Sequence, residues 1–189
     1  MSSLHVVKTS SSVRRATTER IVLFVALAAV GCAGAVQAAG SMSARSMDSR
    51  SGEPVPFAFD SLDERIVSAD TMRGKPTLIA FVTTDSLAAQ AQVDFLVAMA
   101  KKDAIAVNYV VVALGPEDTR ELVELYRRAL HVTFPVAMAD GATLAGGGSF
   151  GDVRAVPVTI LLDRDGRVVW RADGRVAKSA EMRAAMAGL

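Results

Sequence analysis

Two near-continuous apolar runs with one amphipathic stretch between them constrain this chain more than any other feature. Thr77–Thr83 (Thr-Leu-Ile-Ala-Phe-Val-Thr) and Ala106–Leu114 (Ala-Val-Asn-Tyr-Val-Val-Val-Ala-Leu) are rich in β-branched and aromatic residues and lack polar alternation. A strand wetted on one face alternates, whereas a strand covered on both faces has no need to. Between the runs the period changes. Val93, Leu96, Val97 and Ala100 stand at i, i+3, i+4 and i+7, one face of a helix. The spacing predicts a helix over 86–102, capped by Asp85 or Ser86 and closed by Lys101 and Lys102, whose charges suit its negative end. Strand, helix and buried strand in this order form a right-handed crossover unit of a parallel sheet. The chain therefore belongs to the α/β class.

The flanking sequence extends this unit. Gly115-Pro116 stops the second strand, and Asp118-Thr119-Arg120-Glu121 predicts a capping box for a helix running to Leu130. Its apolar stripe would be Leu122, Val123, Tyr126, Ala129 and Leu130. Farther on, Val158–Leu162, the turn Asp163-Arg164-Asp165-Gly166, and Arg167–Arg171 predict an antiparallel hairpin. A last helix is expected over about 177–187. The 26 residues His131–Val156 are long for a plain connection, and Gly146-Gly147-Gly148 predicts mobility in part of them.

The first forty residues read as an address. Lys8, Arg14, Arg15 and Arg20 precede the uncharged run Ile21–Val36, the layout of a bacterial export signal. Three outcomes are open for it. Leu27-Ala28-Ala29-Val30-Gly31-Cys32 resembles a lipobox, which would make Cys32 a lipidated first residue. Val36-Gln37-Ala38 suits ordinary cleavage, with Cys32 then a small apolar residue of the signal core. Ile21–Ala39, at 19 residues, is just long enough to remain as a membrane anchor. Each outcome exports the domain, with a lipoprotein on the periplasmic side expected and a soluble periplasmic or secreted protein as the alternative. Removing 1–40 turns the whole-chain charge of +1 into 17 basic against 19 acidic residues. Residues 40–56, rich in Ser, Arg and Met, are expected to be a flexible tether, and 57–189 the folded domain.

Several chemistries are excluded by count. Cys32 is the one cysteine, so neither an internal disulfide nor an all-cysteine zinc site can form. His5 and His131 are the two histidines, too few for a multi-histidine metal site, and neither metal nor cofactor is expected. A near-zero net charge gives no drive towards nucleic acid, which is not an expected partner.

The βαβ half, the long connection, and Val-Pro-Val-Thr-Ile-Leu-Leu-Asp-Arg-Asp-Gly-Arg-Val at 156–168 together resemble the thioredoxin-like superfamily. Within it the chain is most similar to the exported TlpA-like and redoxin branch, through Met72–Ile79 before the first core strand and Val132–Val136 before the long loop. Phe81–Thr84 and Pro116–Thr119 give a weaker resemblance to the copper-delivering Sco branch. The resemblance spans about residues 54–189. It implies a central mixed sheet, a βαβ half plus an antiparallel ββα half, flanked by helices. It also implies a C-x-x-C pair at the start of the first helix, where helix amides lower a thiol's pKa and the thiolate attacks disulfides.

At that place this sequence reads Ser86-Leu87-Ala88-Ala89. Serine cannot exchange disulfides, and alanine cannot resolve a mixed one. The Sco spacing finds Ser86 and Gln90, and the peroxiredoxin pattern finds Thr83-Thr84-Asp85-Ser86, again without sulfur. A serine nucleophile would need a base; His131 stands at the end of the second helix, where its expected role is to satisfy terminal carbonyls. The glycine triplet lacks the Lys-Ser/Thr of a phosphate loop. Catalytic residues of the family type are therefore absent, and enzymatic activity is not expected.

What survives is a binding surface of Asp85, Ser86, Leu87, Val156 and Pro157. In the family, the proline matching Pro157 is cis, and the backbone before it pairs with extended peptide, which needs no cysteine. Pro157 could equally serve only to set the entry angle of the next strand, and Asp85 and Ser86 could serve as helix caps. Trp170, at the hairpin's end, is expected to be structural. The expected function is an exported, membrane-tethered binding or scaffold module for an exported protein or peptide. The alternative is a thiol-disulfide or peroxide oxidoreductase whose thiol is supplied by another molecule.

Overall fold

The computed structural model describes residues 52–103 and 105–189. The signal, Cys32 and most of the expected tether lie outside the described residues. Within them run β1 (Ala58–Ser61), β2 (Val67–Ser68), α1 (Ala69–Met72), β3 (Thr77–Val82), α2 (Leu87–Asp103), β4 (Asn108–Ala113) and α3 (Arg120–Ala129). There follow β5 (Val136–Met138), α4 (Gly141–Leu144), β6 (Val158–Leu162), β7 (Val168–Ala172) and α5 (Ser179–Met186). The strands make one sheet in the order β2-β1-β5-β4-β3-β6-β7.

β3 explains its own sequence. All six of its residues are buried. Leu78, Ala80 and Val82 face one core, while Ile79 and Phe81 face the other. β4 lies parallel to it on one side and β6 antiparallel on the other. The crossover unit is thus formed as expected, and the hairpin β6–β7 is antiparallel, with an irregularity at Leu161/Leu162 where the turn enters. In that turn Gly166 takes φ +87°, and the Asp163 carboxylate accepts from the amides of Asp165 and Arg167.

The sheet's two faces are covered differently. From β3 to β4 to β5 the chain advances in one direction, so two right-handed crossovers put α2 and α3 on the same face. Ala89, Val93, Leu96 and Met99 of α2, Val123 of α3 and Met182 of α5 share that core. The opposite face is closed by aromatic rings instead of long helices. Phe57, Phe59, Phe81 and Phe150 touch with centroids 5.3 to 6.2 Å apart. Val55, at the expected end of the tether, belongs to this layer and donates its amide to the Gly166 carbonyl at 2.9 Å.

Several local expectations are corrected. The capping box at Asp118–Glu121 does not form: the residue before α3 is Thr119, not Asp118, and its hydroxyl donates back to the Pro116 carbonyl at 2.6 Å. A short 3-10 turn, Glu117–Thr119, leads into α3 instead. Of the proposed α3 stripe only Val123 is fully buried; Tyr126 and Leu130 are half-buried, and Leu122 and Ala129 are exposed. α5 starts at Ser179, two residues after its expected beginning. The long connection holds β5 and α4, which periodicity over so few residues does not reveal. Its glycines have fixed duties. Gly146, at φ +80°, ends α4 while Gly146 and Gly147 donate to Thr143 and Ala142. A Cβ on Gly148 would stand 2.4 Å from the Thr143 hydroxyl.

One polar residue ties the helical layer together. Gln92 is fully buried on α2, accepts from the Ala177 amide at 2.6 Å and donates to the Ala177 carbonyl at 3.4 Å. Both backbone groups of the segment leading into α5 are therefore satisfied by one side chain. Gln92→Leu keeps the volume and strands both groups, at a cost of about 1–3 kcal/mol for each unsatisfied group. The expected loss is about 2–4 kcal/mol of unfolding free energy in urea titrations. A loss below about 1 kcal/mol would show that water replaces the amide at Ala177.

Candidate functional site

The chain leaves the C-terminal end of β3 through Thr83, Thr84 and Asp85 and turns directly into α2. Ser86 is the residue that caps it: its Oγ accepts from the Ala89 amide at 3.2 Å, and its carbonyl accepts from the Gln90 amide at 2.9 Å. Of the two expected candidates, serine is thus the cap and Asp85 stands outside it, exposed. A hydroxyl that accepts from the third helical amide satisfies an otherwise orphaned donor. Ala89 is fully buried in the core, while Leu87, the first helical residue, is 84% exposed.

The sheet brings the second expected group to the same edge. β3 and β6 pair with Phe81 opposite Val158, and continuing that register sets Pro157 opposite Val82 and Val156 opposite Thr83. The Val156–Pro157 peptide bond is cis. Pro157 is buried and Val156 half-buried. The Val156 amide donates to the Arg154 carbonyl at 2.9 Å, so that donor is engaged within the loop.

An unforeseen residue holds this loop. Arg171, on β7, donates to the carbonyls of Phe150 and Asp152, and its guanidinium is held at 2.7 Å by Asp173. Arg154 in turn pairs with Asp152 at 2.8 Å. The approach to Val156 is therefore pinned from the strand beside it. The sequence carried one signal of this, an arginine two residues before an aspartate at the end of a strand, a spacing that brings the two side chains to one face.

His131 lies far from this edge. α3 starts beyond the end of β4 and returns the chain to the start of β5, which is parallel to β4, so its C-terminus is at the opposite end of the sheet. His131 does terminate the helix, but through its backbone. At φ +54° it donates to Arg128 at 3.1 Å, and Val132 donates to Arg127 at 3.0 Å, the paired bonds of a left-handed C-terminal cap. It is not placed to serve Ser86 as a base. Trp170 is half-buried against the helical core, as expected of a structural residue.

At the site, Arg154 holds the Asp152 carboxyl well below the usual carboxylate range; other shifted groups belong to structural contacts elsewhere. Arg65 holds the Asp63 carboxyl down to about 2, and Arg127 does the same for Glu124. Burial pushes the Tyr126 phenol up to about 12, with Asp94 adding to it. Among the described residues no group of three His, Cys, Asp or Glu side chains is gathered to hold a metal ion. No helix among them is long and apolar enough to cross a membrane.

The left-handed conformation at His131 costs an L-residue roughly 1–2 kcal/mol that glycine avoids. His131→Gly is therefore expected to raise stability by about 1 kcal/mol, read as a higher denaturation midpoint at unchanged slope, after the greater chain entropy of glycine is deducted.

No protein-family model matches the chain, and no curated protein is significantly similar to it. Solved structures do match. A DsbF homologue from Corynebacterium diphtheriae superposes with TM-score 0.66 at 15% identity, over 79% of this chain and 97% of that one. A secreted Mycobacterium tuberculosis disulfide oxidoreductase homologous to E. coli DsbE gives 0.58 at 17%, over 70% and 96%. A thio-disulfide isomerase from Thermus thermophilus gives 0.57 at 26%, over 71% and 93%. With this sheet order, the crossover unit, the antiparallel β6–β7 and α5, and with a single cysteine in the whole sequence, the protein has a thioredoxin-like fold without a C-x-x-C pair.

Proposed function

We propose that this protein is an exported binding module, in which the edge of a thioredoxin-like fold engages a protein or peptide without redox chemistry. The observation that carries this reading is the occupancy of the α2 start. Ser86 spends its hydroxyl on capping and Ala89 buries a methyl group, where the resemblance implies a nucleophilic and a resolving thiol. Asp85, Ser86, Leu87, Val156 and Pro157 form the binding surface. Its affinity would come from apolar contact at Leu87 and from backbone pairing at Val156, as in strand addition to an exposed edge. With its amide already engaged, Val156 would contribute its carbonyl. Export is supported by the basic, then apolar, N-terminal run and by the secreted oxidoreductase among the structural neighbours. Membrane tethering through a lipid on Cys32, or through an uncleaved anchor, completes the proposal. The surviving fold also favours a second reading, because its neighbours include disulfide oxidoreductases and an isomerase. In that reading the domain positions a disulfide or peroxide for a thiol brought by another molecule.

The two readings separate in vitro and in cells. The purified protein is expected to neither reduce insulin disulfides nor turn over hydroperoxide, with or without added glutathione. Activity in a preparation that mass spectrometry shows free of other thiol proteins would favour the second reading. A photocrosslinking residue at Leu87 or Val156 should capture one defined partner in cells, and the same probe at Ile105, exposed at the other end of α2, should not. Equal capture from all three positions would remove the binding surface from consideration.

The proposed register has its own test. Ser86→Cys combined with Ala89→Cys puts two sulfurs three residues apart across the start of α2, a separation compatible with disulfide geometry at a helix N-terminus. The double variant is expected to oxidise intramolecularly under mild oxidant and to be reopened by dithiothreitol, as thiol counting would show. Persistent free thiols would mean that these positions do not correspond to the redox pair.

A further inference from the structure

The end of the sheet opposite the candidate edge, where β3 and β4 start with Thr77 beside Asn108, holds two isoleucines in water. Ile66, between β1 and β2, is 70% exposed, and Ile105, between α2 and β4, is 91% exposed. Their sequence neighbours Arg65 and Val107 line one hollow of about 240 Å³, so the two loops belong to one surface. That surface is braced. The Asn108 side-chain amide donates to the Met72 carbonyl at 2.8 Å, and the Arg65 guanidinium donates to the Thr133 carbonyl at 3.0 Å. A single exposed apolar residue needs no explanation. Two on neighbouring loops among cations do.

Lys75, Lys101, Lys102 and Arg164 are exposed at this end, and among the described residues none of them forms an ion pair. Lys101 and Lys102 close α2, whose negative end by itself accounts for cations there. Lys75 and Arg164 belong to no helix: one precedes β3, the other sits in the β6–β7 turn, and the Arg164 carbonyl accepts from the Gly74 amide at 2.9 Å. The unpaired acids at this end are Glu53 and Glu64, which leaves a surplus of cations. The opposite end has the other sign, with Asp85, Asp118 and Asp140 exposed and without ion pairs. The chain also enters the domain at the cationic end, because Val55 donates its amide to Gly166 in the same turn as Arg164.

We infer that this end of the domain docks on a bilayer surface rich in anionic lipid, with Lys75, Lys101, Lys102 and Arg164 among the headgroups and Ile66 and Ile105 inserted at the acyl boundary. The inference rests on the membrane tethering proposed above and supplies what tethering alone leaves open. Residues 40–51 of the expected tether, twelve in number, span at most about 40 Å when extended, enough for any face of the domain to meet the bilayer. Charge selects the face: an anionic surface attracts the lysine end and repels the aspartate end. Leu87 and Val156 then point away from the membrane, open to a partner.

The test uses the chain from residue 41. Both cores are built from residues 55–189, so removing the expected signal leaves the domain whole, and removing Cys32 leaves it free of cysteine. Ala106→Cys, exposed beside Ile105, takes an environment-sensitive nitrobenzoxadiazole label. Its emission is expected to rise and shift to the blue with vesicles of equal phosphatidylglycerol and phosphatidylcholine. Phosphatidylcholine alone should give no response, and added salt should reverse the change. The same label at Ala88→Cys, exposed at the start of α2, should stay silent. Lys101→Gln with Lys102→Gln should weaken vesicle binding by about tenfold or more, and Ile105→Ser by about tenfold. These side chains are exposed, so the variants should keep the unfolding midpoint of the parent. No response at residue 106, an equal response at residue 88, or undiminished binding by the folded lysine or isoleucine variants would each overturn the inference. Flotation of the full chain with neutral vesicles reads tethering by itself. A full chain that floats while residue 106 stays silent keeps the tether and overturns the docking. One that does not float while residue 106 responds removes the tether and upholds the docking.

Discussion

Everything in this fold hangs on β3, a six-residue strand with no side chain in water and a neighbour on each edge. On one edge it starts the parallel half, through α2 to β4 and through α3 to β5. On the other it receives the antiparallel hairpin that ends in α5. Its pairing with β6 is the join between the two halves. The geometry of the candidate edge follows from this. The chain that leaves β3 becomes the start of α2, and the chain that enters β6 arrives opposite the same residues. Asp85–Leu87 and Val156–Pro157 are neighbours because both are attached to one buried strand.

The two layers beside that strand are built on different physics. The helical layer relies on aliphatic packing plus one internal amide, Gln92, which does for Ala177 what a backbone partner would do in a sheet. The aromatic layer is held by four phenylalanines and by Arg171, whose guanidinium satisfies two loop carbonyls at once. A guanidinium fork is suited to this because its donors are fixed in a plane. The consequence is a loop of irregular backbone that is nonetheless held in place where it enters the cis peptide bond.

Legibility in the sequence tracked the physical range of each signal. β3, β4, α2 and the β6–β7 hairpin were readable because apolar period and turn chemistry act over a few neighbouring residues. β5 and α4 were not, because three or four residues are too short to show a period. Gln92 could have been found: it continues the buried series Ala89, Gln92, Leu96, Met99 at helical spacing, so a polar residue on that stripe already implied a buried partner. The stripe of α3 misled because Leu122 looks like a core residue by spacing alone. Whether a leucine at helical spacing packs inward depends on how the helix is rotated on the sheet, which is a matter of contacts far away in sequence.

The sequence by itself determined the class of fold, the place where the helix begins, and the chemistry that cannot occur there. Those follow from local constraints: a doubly buried strand must be continuous in apolar residues, a helix needs a cap, and disulfide exchange needs sulfur. Only the tertiary structure decided which groups share a surface. It put a cis Val156–Pro157 and the α2 start on one edge though seventy residues separate them, sent His131 to the far end of the sheet, and left Leu122 half-exposed although its spacing matches a core position. Proximity of that kind is set by strand order and register, and these come from packing the whole chain at once.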